Sequence, residues 1–261
     1  MTRRLLNTAP VLNIDDGGGG SDCVLFVHSL AGNCGHWSHQ LDHLRQNRRA
    51  LALDLRGHGL SSPAPDGDYS ISALAKDIES VVEALHLHKF FLVGHSLGAS
   101  AAIEFARKHP EMLAGLLLAD PSGDARRLPA EVTEPFLEAL QSEAYALTIE
   151  GYWKSMIAGS SPAIQERLLS DLKSTRKEVV TGALQSILHF DPLTPLKRYA
   201  GRKLSIITDI NDTPISLHNL LPGLPHIKIS GTGHWLQLDR PEEFNKIMDA
   251  FFAASNENKK I

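Results

Sequence analysis

Six short apolar runs punctuate the chain: Val24 to Val27, Ala50 to Asp54, Phe90 to Gly94, Leu113 to Asp120, Leu204 to Thr208 and Ile227 to Ser230. Each is bounded by turn residues and rich in leucine or β-branched side chains. Such runs suit strands buried on both faces, which means a parallel sheet covered by helices. Between them lie amphipathic stretches. Ile71, Leu74, Ile78, Val81, Val82 and Leu85 share one face behind an N-capping Ser70, which predicts a helix of about four turns. Strand, helix and strand repeated with right-handed crossovers give an α/β fold with a doubly wound, mostly parallel sheet.

Residues 125 to about 189 depart from this alternation. Helical pieces at Glu131 to Leu147, Tyr152 to Ile157, Ala163 to Leu172 and Lys177 to Leu188 follow one another with no strand between them. The stretch leaves after a strand ending at Asp120 and returns before the strand at Leu204. It therefore has to lie over the carboxyl edge of the sheet, where open α/β folds bind ligands. We expect a helical cap, residues 125–189, inserted into a core of residues 1–124 and 190–261. The run Gly17 to Gly20 with Ser21 is a hinge or turn. It precedes a strand instead of following one, so it does not suit a phosphate-binding loop.

Composition removes several partner classes. At 261 residues, with 43% hydrophobic and 21% charged side chains, the chain can bury a substantial core and is not a disordered or fibrous sequence. The balance of 26 Lys+Arg against 30 Asp+Glu offers no electrostatic footprint for nucleic acid. The basic start at Arg3 and Arg4 has no apolar stretch behind it, and no window is apolar enough to span a bilayer, so we expect a cytoplasmic protein without a membrane partner. Cys23 and Cys34 are too few for a disulfide framework or a four-ligand zinc site, and read as thiols. No cofactor or metal is called for. Oligomeric state has no signature.

The sharpest chemical signal is Gly94-His95-Ser96-Leu97-Gly98, which ends one apolar run and opens the helical stretch Ala99 to Lys108. A strand-to-helix turn this tight needs small residues beside the serine and lifts its hydroxyl above the sheet edge. A serine hydroxyl is a poor nucleophile at neutral pH, so it needs a histidine base and an acid to orient that base. Gly231-Thr232-Gly233-His234 follows the last run, and Ile210-Asn211-Asp212-Thr213-Pro214 follows the one before it. Ser96, Asp212 and His234 thus occur in the chain order expected of a nucleophile-elbow hydrolase.

With these residues in view, the stretch from about residue 23 to 255 resembles the α/β-hydrolase fold family. Val27-His28-Ser29-Leu30-Ala31-Gly32-Asn33 with Trp37 is similar to the family's oxyanion loop, and Asp54-Leu55-Arg56-Gly57-His58-Gly59-Leu60-Ser61 to its Asp-x-Arg-Gly-x-Gly-x-Ser turn. Gly231 to Trp235, followed by Asp239-Arg240-Pro241-Glu242-Glu243-Phe244, is similar to its histidine loop and final helix. Ser29 stands where the family usually has glycine, as in the 3-oxoadipate enol-lactonases. The resemblance implies a serine hydrolase that cleaves small to medium carboxylic esters or lactones through an acyl-enzyme on Ser96, with the Leu30 and Leu97 amides as oxyanion donors. Perhydrolysis, acyl transfer, carbon–carbon hydrolysis or a weakly catalytic ligand sensor on the same scaffold stay open. Dehalogenation and epoxide opening by this fold use an aspartate at the elbow, where this chain has Ser96.

Asp212 fits the family's acid position, with Asp209, which replaces a glycine, and Asp120 as alternatives. Ser29, Phe136, Trp153, Met156 and Trp235 are candidates to contact substrate. His95, beside Ser96, is expected to give a supporting hydrogen bond, and His58 to be structural. His28 is expected to brace the oxyanion loop. At about 100° per residue, Trp37, Leu41 and Leu44 form an apolar face that leaves His36, His39 and His43 toward solvent, not as a metal site. Arg126-Arg127 reads as solvated surface.

Overall fold

The protein is described by a computed structural model that covers residues 3–20 and 22–253. Eight strands form one sheet: β1 (Arg3–Leu6), β2 (Leu12–Gly17), β3 (Cys23–Val27), β4 (Arg49–Leu53), β5 (Phe90–His95), β6 (Leu113–Ala119), β7 (Lys203–Ile207) and β8 (His226–Lys228). Their spatial order is β1-β2-β4-β3-β5-β6-β7-β8. The pairs β1–β2 and β2–β4 are antiparallel and the remaining five are parallel. The helices are α1 (Ser38–Leu44), α2 (Ile71–Ala84), α3 (Leu97–Lys108), α4 (Ala130–Gln141), α5 (Tyr145–Ile157), α6 (Pro162–Ser174), α7 (Lys177–His189), α8 (Leu193–Arg198), α9 (Leu217–Leu220), α10 (Leu236–Asp239) and α11 (Pro241–Ala253).

The period of two along each strand divides the core into two layers. Leu25, Val27, Leu51, Leu53, Leu92 and Leu118 pack on one face with residues of α2 and α3 such as Leu74, Ile78 and Phe105. Val24, Phe26, Ala50, Ala52, Val93 and Leu117 pack on the other with Leu41 and Leu44 of α1 and Phe244 and Phe252 of α11. Strands covered on both sides have no polar face to display, and that is why they read as unbroken apolar runs.

Departures from the expected elements have local causes. The strands β1 and β2 carry no apolar run: Asn13 and Asp15 are buried but paired, with Asn13 Nδ2 donating to Asp54 (2.8 Å) and Arg45 donating to Asp15 (2.7 Å). The helix expected over 131–147 breaks at Ser142, which is extended, into α4 and α5. Cys34–Trp37 is a 3-10 turn and not the start of a continuous helix, so the 100° rule misplaces His36. That ring is buried, with Nε2 against Asp171 of α6 at 2.8 Å, while His43 pairs with Asp249. Gly18 and Gly20 turn the chain with positive φ after β2, and Ser21 lies outside the described residues.

Candidate active site

Ser96 stands between β5 and α3 with φ 51° and ψ −111°, a conformation that costs an L-residue about 1–3 kcal/mol and survives only where its surroundings impose it. Two glycines impose it here. A Cβ on Gly94 would lie 2.4 Å from the Gly98 oxygen, and one on Gly98 would lie 2.5 Å from the main-chain oxygens of both Val27 and His28. The turn is therefore pressed against the end of β3, where the loop carrying Leu30 begins.

That loop is pinned by His28. Its Nε2 accepts the Leu55 N–H (3.0 Å), so Nδ1 carries the proton and donates to the Ser29 oxygen (2.6 Å), which also accepts the Gly32 N–H (3.0 Å). Burial pushes His28 down to about 3, so the ring is neutral at physiological pH. Leu30 borders a narrow space shared with Ser96 and His234. Leu97, as the first residue of α3, has an amide with no acceptor inside the helix. Ser29 borders the same narrow space, but its Oγ is turned to the Leu30 oxygen at 3.4 Å.

The carboxylate that meets His234 is Asp120 and not Asp212. His234 Nδ1 donates to Asp120 Oδ2 at 2.6 Å, with both side chains buried. This leaves Nε2 for the cavity that His234 and Ser96 line together. Asp212 is turned outward, accepting from Lys228 (2.9 Å) and meeting His218 Nε2 (3.0 Å). The Lys228 and His218 hydrogen bonds hold it down at about 2. Asp209 also faces away, toward Lys228, Ser230 and the Gly231 N–H. The residue this loop sends inward is Asn211, whose Nδ2 lies 3.2 Å from the Asp120 oxygen and 3.4 Å from His234 Nδ1. Asp120, like Ser96, has a positive φ, of 40°.

Supporting groups close around the imidazole. His95 Nε2 donates to the His234 oxygen (2.9 Å), and its Nδ1 faces Gln237 Nε2 (3.3 Å). Burial, then the neighbouring His234, push His95 well below the usual histidine range. The His234 N–H donates to the Met156 oxygen of α5 (2.9 Å). Asp239 Oδ2 accepts from the Gly233 N–H (3.0 Å) and from Ser160 Oγ (2.9 Å). His58 Nδ1 lies 2.9 Å from the Arg56 oxygen, inside the turn.

The cavity beside Ser96 has a volume of about 390 Å³. Its walls are mostly apolar and come largely from the segment between β6 and β7, including Leu128, Val132, Phe136, Met156, Leu184 and Ile187. Of the five substrate-contact candidates, Phe136 and Met156 line this cavity, whereas Ser29, Trp153 and Trp235 border only the narrow space. Trp153 is also a packing residue: its indole N–H donates to the Leu168 oxygen (3.1 Å), and its ring lies 5.2 Å from that of Trp235. Tyr152, absent from the sequence-based candidates, lines both spaces. A second cavity of about 270 Å³ shares Ala125, Leu128, Thr133 and Leu188 with the first. Arg126 and Arg127 lie on the surface as expected, and both are ion-paired to Asp124, Arg126 also to Asp191.

An eight-stranded sheet with a serine on a strained turn, a histidine after the last strand and an apolar cavity beneath a helical segment defines an α/β hydrolase. Residues 24–247 match the alpha/beta hydrolase family, and the chain belongs to it. It is 40% identical over 114 residues to a serine hydrolase-like protein of Danio rerio, a match covering 43% of this chain. The matched stretch spans 34% of that relative's length. Among solved structures, an esterase from Thermogutta terrifontis superposes with a TM-score of 0.82 at 24% identity, covering 98% of this chain and 99% of that one. An enol-lactonase from Burkholderia xenovorans LB400 gives 0.81 at 21%, covering 97% of this chain and all (100%) of that one. No helix among the described residues is long and apolar enough to cross a membrane.

Proposed function

We propose that this hydrolase cleaves small to medium carboxylic esters or lactones through an acyl-enzyme on Ser96. The observation that carries this is the 2.6 Å contact of His234 with Asp120, in a ring that shares a largely apolar cavity with Ser96. In this reading Asp120 fixes the imidazole tautomer with the proton on Nδ1. Nε2 takes the hydroxyl proton as Ser96 Oγ attacks the carbonyl carbon. The developing oxyanion is met by the Leu30 and Leu97 amides, each lowering the barrier by roughly 3 kcal/mol. The protonated imidazole returns the proton to the departing alkoxide, and water then repeats the sequence to release the acid. Residues 125–189 act as the cap that supplies the acyl pocket, and residues 1–124 and 190–261 as the core. The esterase and the enol-lactonase with the same fold support the substrate class.

Turnover of nitrophenyl acetate, butyrate and octanoate, together with labelling by a fluorophosphonate, tests this. We expect turnover and labelling by the wild type, and neither by Ser96→Ala. Turnover that persists in Ser96→Ala excludes the acyl-enzyme.

A further inference from the structure

Resting on the assignment of Asp120 as the partner of His234, we infer that Thr208 is a positioning residue which sets how strongly that carboxylate holds the imidazolium. Thr208 follows β7 and is fully buried. Its N–H donates to Asp120 Oδ1 at 2.7 Å and its hydroxyl donates to Asp120 Oδ2 at 2.9 Å. The direction of the second bond is fixed locally, because Thr208 Oγ1 accepts the Ile210 N–H at 3.2 Å and its own proton is left for the carboxylate. Oδ2 is also the oxygen that receives His234 Nδ1. The threonine hydroxyl and the imidazole thus draw on the same acceptor, and each bond made by one reduces the charge available to the other.

The arrangement follows from the place of the acid. With Asp120 at the end of β6, the neighbouring strand has to satisfy the rest of a buried carboxylate, and Thr208 does so with both of its donors. Besides Asp120, the titratable group packed on the imidazole is His95, with ring centroids 4.6 Å apart, held neutral by burial. Asp239 reaches the same loop through the Gly233 N–H, and Asn211 contributes an uncharged amide. None of these touches Oδ2, so the hydroxyl is the group able to modulate it.

The test is the pH profile of kcat/KM on a nitrophenyl ester for Thr208→Val, Thr208→Ala and Thr208→Ser. Freed of its competitor, Oδ2 binds the imidazolium more strongly. The acid limb of Thr208→Val therefore moves to higher pH by roughly half a unit, with plateau activity reduced only a few-fold. Thr208→Ser restores the wild-type limb, and Thr208→Ala decides the matter if the valine variant does not fold. An unmoved limb in the hydroxyl-free variants, or an equal shift in Thr208→Ser, overturns the inference. Wild-type turnover in Asp120→Asn overturns instead the assignment of Asp120, and with it the basis for Thr208.

Discussion

Ser96 and Asp120 leave neighbouring strands at the same level of the sheet. His95 and Ala119 are paired in the parallel register of β5 and β6, and the Ser96 N–H donates to the Ala119 oxygen at 3.1 Å. The two residues that follow this pair both adopt positive φ, of 51° and 40°, and both turn toward the loop that carries His234. The Asp120 carboxylate and the Ser96 hydroxyl are thus positioned by one hydrogen-bonded ladder, whereas Asp212 sits one strand further away on a surface loop.

Replacement of the two aspartates separates them. Asp120→Asn removes the acceptor that fixes the tautomer, and kcat on a nitrophenyl ester should fall roughly 10³- to 10⁴-fold. Asp212→Asn weakens the contacts of a part-exposed carboxylate with Lys228, Asn219 and the largely buried His218, and should leave kcat unchanged while lowering Tm by no more than a few degrees. The reverse pattern in steady-state kinetics would return the acid to the loop after β7.

Acid should weaken the fold through several buried histidines, His28 and His58 among them. Burial holds His28 at about 3 and His58 at about 4, with their rings 5.1 Å apart. Below about 6.5 the unfolded chain binds protons that the folded one refuses, so stability declines as pH falls from about 6.5 toward 4. The effect should be on the order of 3 kcal/mol for each ring. Urea midpoints at pH 7.5, 5.5 and 4 measure this; a constant midpoint would mean that these rings charge freely in the native state.

Two glycine-to-alanine changes should act in opposite directions. In Gly98→Ala the new methyl meets the Val27 and His28 oxygens at 2.5 Å, which costs about 1–3 kcal/mol and should reduce turnover at least tenfold by displacing Ser96. In Gly151→Ala, inside α5, nothing lies within 4 Å, and the better helix former should add up to about 1 kcal/mol. Thermal unfolding and kcat of both variants check the pair.

Chain-length preference should respond to Leu188, one of the residues shared by the 390 Å³ and 270 Å³ cavities. Leu188→Ala should join them and raise kcat/KM for octanoyl and decanoyl esters relative to butyryl about tenfold, at a stability cost of about 2 kcal/mol. An unchanged length profile would show that the smaller cavity takes no part in binding the acyl chain.

The central strands, the elbow and the histidine loop were legible because each is written locally: unbroken apolar runs, glycines flanking Ser96, glycines before His234. The strands β1 and β2 were not, since their buried Asn13 and Asp15 find hydrogen-bonding partners in Asp54 and Arg45, far along the chain. The acid was ambiguous for the same reason. Asp120 and Asp212 both follow apolar strands, and the choice between them depends on strand register and on which side chain of the Asn211-Asp212 pair turns inward. The signal that kept Asp120 as an alternative was its place one residue past the end of a buried strand. His36 was misplaced because a 3-10 turn rotates side chains by more than the α-helical angle.

The main-chain oxygen of Met156 receives the His234 amide, while the Met156 side chain forms part of the cavity wall. The wall of the cavity and the segment bearing the imidazole are therefore tied by a main-chain hydrogen bond. Any tilt of the last turn of α5 is also a displacement of the ring, so a compound wedged under that turn would disable the centre without touching the hydroxyl of Ser96.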